Sequence, residues 1–581
     1  MNGGRDRQAG GRQGVATSRA LLFALLLLST ALVWHDLGAR EVLGRDENAT
    51  IVKLDQPTLG DVLRITQVKI TGQPGNMQPL YFLLQRLFWP LVGRSAFMLR
   101  FLPSLFGVLG VAITYKLGEA LLGPVVGFAG ALLTTLLPLQ IQYAQIARPY
   151  SLLALLSLAS AFFLVRALSS GRSRDWIGFC LTATLNFYTH YNALFVLAAE
   201  GVLVGIVWLS WVTGRRWKGI SSRQRLLPVL AFLAVGLACL PGLIRLAGLL
   251  RAEAGGSAGA TTAAGVKLSG AFFASFLNEI GLSNGWLQGL LLAAMALGLL
   301  VTLLRHRWQA ALLMVAWMAI PFLTLALVAG PRPFEQRYVI FVPPVAFLLA
   351  GQGVAAGGQM LARVNRRWSA ERAQWIGSAA LLLLSALLMR PALCTYYQVN
   401  RSAGRLEHEL QFVERHAQPG DAVVISPRVF ARPLNAPGAD LLYLTEHPSP
   451  ADIEQWGRYR RLWLLYTSFL PAPEMQEPLD QWLQSQESAS VRVQIKSISA
   501  LGYRNLSVTG VEAGLQDRIA LLEELARDNP GGQETKWQRY GALADAYQAL
   551  GELYGNRGES SRAAEYARKA EETRAAAPPP W

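Results

Sequence analysis

Charge is scarce in this chain: 16% of its 581 residues are Asp, Glu, Lys or Arg, where a soluble globular domain carries about 25%. Cysteine is scarcer still. The three present, Cys180, Cys239 and Cys394, show no spacing of a disulfide framework or a metal knuckle and read as packing residues. Residues 398–510 lack a glycine-rich phosphate loop, so that segment is not assigned a nucleotide. No internal repeat is evident either, which weakens a reading as a transporter built from two related halves. Apolar residues fill the space left: 52% of the chain is hydrophobic and the mean hydropathy is +0.28. Several runs reach about 20 apolar residues, the length that crosses about 30 Å of hydrocarbon. The net charge of +16 lies in short loops between those runs, which is the positive-inside pattern of a membrane protein rather than a nucleic-acid footprint.

The fold class expected is a polytopic α-helical membrane protein. Eleven spans are read at 19–37, 99–119, 124–141, 149–168, 175–189, 192–212, 227–246, 286–304, 308–329, 338–356 and 374–393. Arg5, Arg7, Arg12 and Arg19 precede the first. Its apolar stretch is long and no small-residue cleavage pattern follows, so it reads as a retained anchor with a cytoplasmic basic N-terminus, 1–18. Alternating from there, cytoplasmic loops hold Arg166, Arg172 and Arg174, then Arg215, Arg216, Lys218, Arg223 and Arg225, then Arg305 and Arg307, and last Arg363, Arg366, Arg367 and Arg372. The short opposite loops hold little beyond Arg148, Arg332 and Arg337. This sorting implies a multi-pass protein of the inner (plasma) membrane with an exported C-terminal part.

Residues 19–397 make up the expected transmembrane domain. After Tyr397 the apolar runs stop. Residues 398–510 alternate the helical stretch "RLEHELQFVERHA" with the short strands "DAVVIS", "DLLYL", "RLWLLY", "VRVQI" and "YRNLSV", an exported α/β domain punctuated by the turn "QPGD". Residues 511–581 read as helices. Tyr547, Leu550, Gly551, Tyr554, Ala563 and Ala570 stand at the spacing of a tetratricopeptide helix pair. Ala567 falls where a large aromatic is usual, and an ordinary helical hairpin fits as well. One pair cannot bury its own face, so it is expected to lie on the helix at 515–527 or on a protein partner.

The first exported loop, 38–98, is too long for a connector. It opens with "LGRDENATIV" (43–52), two adjacent acids just past an apolar span. "PTLGDVLRITQVK" (57–69) reads as a short surface helix. "NMQPLYFLLQRLFWPLV" (76–92) is too short to span and reads as an interfacial helix, with Tyr81 and Trp89 suited to headgroup level.

The ordered set of the Asp-Glu pair, the Pro-Leu-Tyr helix, "LRFLPSLFGVLGVAITYKLGEALLG", "QYAQIARPYSLLALLSLAS", "HYNALF" and "EQRYVIFVPPVAFLLAGQG" resembles a known family over roughly residues 15–395. It looks like the polyprenyl-phosphate-sugar-dependent glycosyltransferases of the membrane GT-C fold, which include protein O-mannosyltransferases and lipid A aminoarabinose transferases. The resemblance implies that Asp46 matches the acid thought to act as general base and that Glu47 supports it. Attack by an acceptor hydroxyl on a lipid-phosphate sugar needs such a carboxylate. The departing phosphate needs cations, and Arg148 in "ARPY" and Arg337 in "EQRY" fall at exported span ends, where guanidinium groups suit bidentate contact with phosphate oxygens. Where relatives commonly show His-Pro-Pro or Lys-Pro, this chain has Met77-Gln78-Pro79, so a cation is missing there and Gln78 offers a neutral hydrogen bond. Tyr81, Tyr143, Tyr150 and His190 complete the set of substrate contacts.

Blander readings stand beside these. Asp46 and Glu47 also fit solvated loop acids, Arg148 and Arg337 snorkelling anchors, Tyr143 and Tyr150 an aromatic belt, and His190 a satisfied interfacial histidine. Glu200 lies inside a span, where an acid is a functional candidate by default. The reading as a whole is an inverting glycosyltransferase at the extracytoplasmic face, with a polyprenyl-phosphate sugar as donor and a protein, glycan or lipid as acceptor. The alternative is a transporter or flippase for lipid-linked glycans. No metal ligands are assigned, and a divalent metal is left open by the resemblance.

Overall fold

A computed structural model describes residues 3–38, 45–67, 77–92, 95–212, 226–256, 269–327, 335–364, 370–402, 405–425, 438–443, 459–467, 491–495, 499–505, 510–527 and 533–577. The chain divides into two compact units: Met1–Leu37, Lys53–Gly93 and Phe97–Tyr397 form one, and Gly38–Val52, Arg94–Ala96 and Gln398–Trp581 the other.

The first unit is helical. Its elements are α1 (Gly3–Trp34), the end of α2 (Arg45–Leu54), α3 (Leu59–Gln67), α4 (Leu80–Val92), α5 (Ala96–Leu121), α6 (Pro124–Leu136), α7 (Pro138–Ala144), α8 (Tyr150–Ser170), α9 (Ser173–Thr189), α10 (Ala193–Val212) and α11 (Leu227–Gly256). There follow α12 (Gly270–Glu279), α13 (Gly285–Leu304), α14 (Trp308–Leu327), a 3-10 turn (Gln336–Val339), α15 (Val342–Val364) and α16 (Ala370–Ser402). Among the described residues, five helices are long and apolar enough to cross a membrane, those at Ala96–Leu121, Tyr150–Ser170, Ala193–Ser210, Leu227–Arg251 and Gly285–Leu304; the α6–α7 pair makes a sixth if counted as one span. Arg19–Trp34 and Trp308–Thr324 are shorter apolar helices. The chain is thus a multi-pass helical membrane protein.

Three local features depart from the sequence reading. The stretch 124–141 is two helices bent by 66°. Leu137 is extended (φ −72, ψ 119) ahead of Pro138, because a proline ring pushes the residue before it out of the helical region. The loop after α11 holds an unexpected helix, α12, whose N-cap Ser269 accepts the backbone N–H of Phe272 at 3.2 Å. And the acids of 45–54 sit on a helix, not a loop. In the helix α3, Thr58 caps the first turn by accepting the Asp61 backbone N–H at 3.1 Å while its hydroxyl donates to the Asp61 carboxylate at 2.7 Å.

Small residues set the closest helix approach. A Cβ added at Gly298 on α13 would lie 1.9 Å from the Leu349 carbonyl oxygen, and one at Gly353 on α15 would lie 1.9 Å from that of Ala294. The two backbones are in direct contact, the packing that apolar solvent favours because it offers no other attraction between helices.

Several side-chain bonds join the ends of different helices. Gln145 donates to the carbonyls of Val33 (2.7 Å) and His35 (2.8 Å) and accepts from the Tyr396 hydroxyl (2.6 Å), and Tyr397 donates to Leu32 (2.6 Å). All of these are ends expected outside. Arg166 pairs with Asp175 at 3.2 Å and Arg307 donates to the Leu121 carbonyl at 2.9 Å, ends expected inside.

The second unit holds α17 (Arg405–His416), then β1 (Asp421–Ile425), β2 (Asp440–Tyr443), β3 (Arg461–Thr467), β4 (Val491–Ile495) and β5 (Ser499–Asn505). The sheet order is β2-β1-β3-β5-β4. β1 is parallel to β2 and β3, and β5 is antiparallel to β3 and β4. Helices α18 (Val511–Arg527), α19 (Gln533–Asn556) and α20 (Ser560–Ala576) follow. Leu522, Leu550, Phe412 and Trp463 belong to one buried cluster. An added Cβ at Gly551 would meet the Ala563 carbonyl at 3.3 Å and the Ala567 nitrogen at 3.4 Å, so the α19–α20 hairpin closes over a glycine.

Candidate active site

The geometry of the site begins with the 3-10 turn at Gln336–Val339. A short turn buried between helices leaves carbonyls unpaired, which costs about 1–3 kcal/mol each unless they are satisfied. Here side chains from three other elements do so. Asn192 donates to the Tyr338 carbonyl (2.9 Å), Gln140 to that of Ile340 (2.8 Å) and Trp317 to that of Phe341 (3.0 Å). Arg337 is held by this frame. On the other side, Gln145 anchors the turn 145–149 as described, and Arg148 projects from it, 6% exposed, with its Nη1 3.9 Å from the Met77 sulfur.

These two arginines lie 189 positions apart in sequence and meet around His190. The Arg337 guanidinium stands 5.5 Å from the ring centre of Tyr150 and 5.8 Å from that of Tyr338. It also pairs with Glu335. Tyr150 packs edge-on to Tyr143 (5.1 Å) and tilted against His190 (5.7 Å), and His190 lies 6.5 Å from Tyr338. His190 follows the last residue of α9 and is half-buried. Burial first, then the charges of Arg148 and of Arg337, lowers its pKa to about 4, against a hydrogen bond with Asn192 that raises it. The imidazole is neutral at pH 7. Its Nδ1 accepts the Asn192 backbone N–H at 3.1 Å, which assigns the proton to Nε2 and makes that atom a donor.

Four expected site residues, Arg148, Arg337, Tyr150 and His190, are therefore gathered at one place, with Tyr143 beside them. Tyr150 is only 3% exposed; its ring serves Arg337 and His190 rather than standing open. Gln78 follows Met77, is 3% exposed, and has its amide nitrogen enclosed without a hydrogen-bond acceptor. Tyr81 is fully buried in an apolar cluster with Val62, Phe82 and Leu152, and Trp89 is buried at 4%, so both lie inside the protein. Glu47 is 1% exposed, which rules out a solvated acid. Asp46 is the second residue of α2, and its side chain lies outside what the structure describes. Sequence reasoning missed Asn192, Gln140, Gln145 and Trp317, which fix the arginines through carbonyls. The three amides stand beside span ends, whereas Trp317 lies in the middle of its helix and gave no such signal. Among the described residues no group of His, Cys, Asp or Glu could hold a metal ion.

A cavity opens between α1, α5, α6, α7 and α8, lined among others by Ser29, Gly107, Gly110, Thr134, Ser151 and Leu158. Gly110 faces open space within it: a Cβ there meets nothing within 4 Å.

Residues 73–244 match the model of a family described as dolichyl-phosphate-mannose-protein mannosyltransferase. The resemblance read from the motifs is thus met independently over that segment, which contains Gln78, Tyr81, Tyr143, Arg148, Tyr150 and His190 and excludes Asp46, Glu47 and Arg337. No curated protein matches the chain by sequence. Among solved structures, the chain is similar to ArnT from Cupriavidus metallidurans in the apo state, at 14% identity and a TM-score of 0.48, over 86% of this chain and 99% of that one. The same protein bound to undecaprenyl phosphate gives 14% and 0.48, over 84% and 99%. The Archaeoglobus fulgidus oligosaccharyltransferase in its apo form gives 11% and 0.47, over 84% and 74%.

Proposed function

We propose that the chain is an inverting membrane glycosyltransferase that moves a sugar from a polyprenyl-phosphate-linked donor to an acceptor at the extracytoplasmic face. The observation that carries this reading is the convergence of Arg148 and Arg337 on His190 at one end of the helical bundle. Two guanidinium groups and a neutral N–H donor, framed by tyrosine rings, suit a lipid phosphate whose charge grows as the sugar leaves. Gln78 contributes amide hydrogens in place of a cation. Asp46 acts as the base that takes the acceptor's hydroxyl proton, and buried Glu47 supports it. The finer assignments belong to the same reading: eleven spans, an inner-membrane location with a cytoplasmic N-terminus, an exported α/β domain at 398–510 and a tetratricopeptide-like tail at 511–581 that offers a surface to a protein partner.

Membranes containing the protein, fed a panel of radiolabelled polyprenyl-phosphate sugars, are expected to label one acceptor from one donor. Asp46→Asn is expected to lower that transfer by about 10²–10⁴-fold. Transfer at the wild-type rate in this variant would remove the base assignment. Movement of a lipid-linked sugar across proteoliposomes with no glycosylated product would replace the enzyme with a transporter.

A further inference from the structure

Tyr396 and Tyr397 are neighbours near the end of α16, and each spends its hydroxyl on a different partner. Tyr397 donates to the Leu32 carbonyl of α1 at 2.6 Å and lies edge-on to His35, with 4.9 Å between ring centres. Tyr396 donates to Gln145 Oε1, also at 2.6 Å. Gln145 is the C-cap of α7, lies in the same turn as Arg148, and is 3% exposed.

The Gln145 amide is held from two sides. Its nitrogen carries two hydrogens, and the carbonyls of Val33 (2.7 Å) and His35 (2.8 Å) engage both. Its oxygen is left to accept, and the Tyr396 hydroxyl donates to it. Between the end of α7 at Ala144 and the start of α8 at Tyr150 the backbone makes a tight turn, in which the Arg148 N–H donates to the Ile146 carbonyl at 2.7 Å. Such a turn has no helical ladder of its own, so its position depends on the side chains that pin its ends. The helix that supplies Tyr396 runs unbroken from Ala370 to Ser402, and the residues after Tyr397 belong to the C-terminal unit. Arg148 is thus tied to the helix that leads into that unit.

We propose that Tyr396 is a positioning residue for the lipid phosphate, acting through Gln145 to hold the turn from which Arg148 reaches the donor. That role rests on the phosphate reading of Arg148 given above. Tyr396 touches neither the phosphate nor the sugar. Tyr397 supplies the built-in control: its bond has the same length and joins the same two span ends, but it goes to the α1 backbone instead of to the Gln145 side chain.

The test measures the affinity of the full-length protein, reconstituted in bilayers, for undecaprenyl phosphate. Wild type is compared with Tyr396→Phe, Tyr397→Phe, Arg148→Ala and the Tyr396→Phe, Arg148→Ala double variant. Tyr396→Phe is expected to weaken binding about three- to tenfold, the loss of one hydrogen bond, and Tyr397→Phe less than about twofold. In the Arg148→Ala background the Tyr396 hydroxyl is expected to count for less than about twofold, because residues that act through one another are not additive. Equal losses in the two tyrosine variants would overturn the proposal, since a general loosening of the clasp moves both. So would wild-type affinity in Tyr396→Phe, or a loss that persists in full without Arg148. Wild-type affinity in Arg148→Ala alone would strike the phosphate reading itself, and this role with it.

Discussion

The two ends of the helical bundle both carry arginines, but they use them differently. At the end expected inside, Arg166 meets Asp175 and Arg307 meets the exposed C-terminal carbonyl of Leu121. The first is a local pairing and the second joins segments 186 residues apart, and each cation lies where the positive-inside bias alone would put it. At the opposite end, Arg148 and Arg337 come from segments remote in sequence and stand around one histidine and three tyrosine rings. The frame that holds them consists of amides and an indole bonded to backbone carbonyls. A topological signal needs no such frame. Charge held in place before any ligand arrives is what anion recognition needs, since the cost of ordering the site is met in folding.

The largest effect that separates the two ends is in donor use. Arg148→Ala and Arg337→Ala are each expected to lower kcat/KM for a polyprenyl-phosphate sugar by about 100-fold or more, the loss of a desolvated, hydrogen-bonded charge contact. Replacement by Lys is expected to recover only part, because the planar fork is lost. Arg307→Ala at the other end should leave transfer unchanged and alter stability by less than about 1 kcal/mol. Equal losses at both ends, measured in one reconstituted assay, would erase the distinction.

A smaller effect is expected in pH dependence. The folded-state pKa of His190, about 4, lies below the unfolded value of about 6.5. The unfolded chain therefore takes up a proton that the folded one refuses as pH falls. The stability associated with this residue is whole above about pH 6.5 and declines toward pH 4. Melting temperatures of wild type and His190→Gln should converge above that window, and the wild type should lose more within it. Parallel curves would mean that neither burial nor the two arginines lowers the pKa of this ring.

Much of this was legible in the sequence because it depends on local pattern. Apolar length located the helices of the bundle. The stretches "DAVVIS", "DLLYL", "RLWLLY" and "VRVQI" coincide with β1 to β4, and β5 begins four residues ahead of "YRNLSV". Gly551 marks a close helix approach, as its size suggested. The site was half legible. Arg148, Arg337, Tyr150 and His190 stood out as polar or aromatic residues at like span ends. Nothing along the chain says that Asn192 and Gln140 reach carbonyls 146 and 200 residues away, because such bonds exist only once the helices are packed. The headgroup placement of Tyr81 and Trp89 followed from an amphipathic reading of α4 taken alone, and the contact of Tyr81 with Val62 and Leu152 buries the ring instead. Glu200 was visible as an acid in a span. Its partner Ser160 sits on another helix, with Oγ 2.6 Å from Glu200 Oε1, and carries no signal of its own.

The most direct measurement is the affinity of the purified, reconstituted protein for polyprenyl phosphate without its sugar, compared with that of the Arg148→Ala, Arg337→Ala double variant. The wild type should bind, and the double variant should bind at least about 100-fold more weakly while keeping the same melting temperature within a few degrees. Equal affinity in the two proteins would contradict the account, because the lipid phosphate would then be held somewhere other than between these arginines.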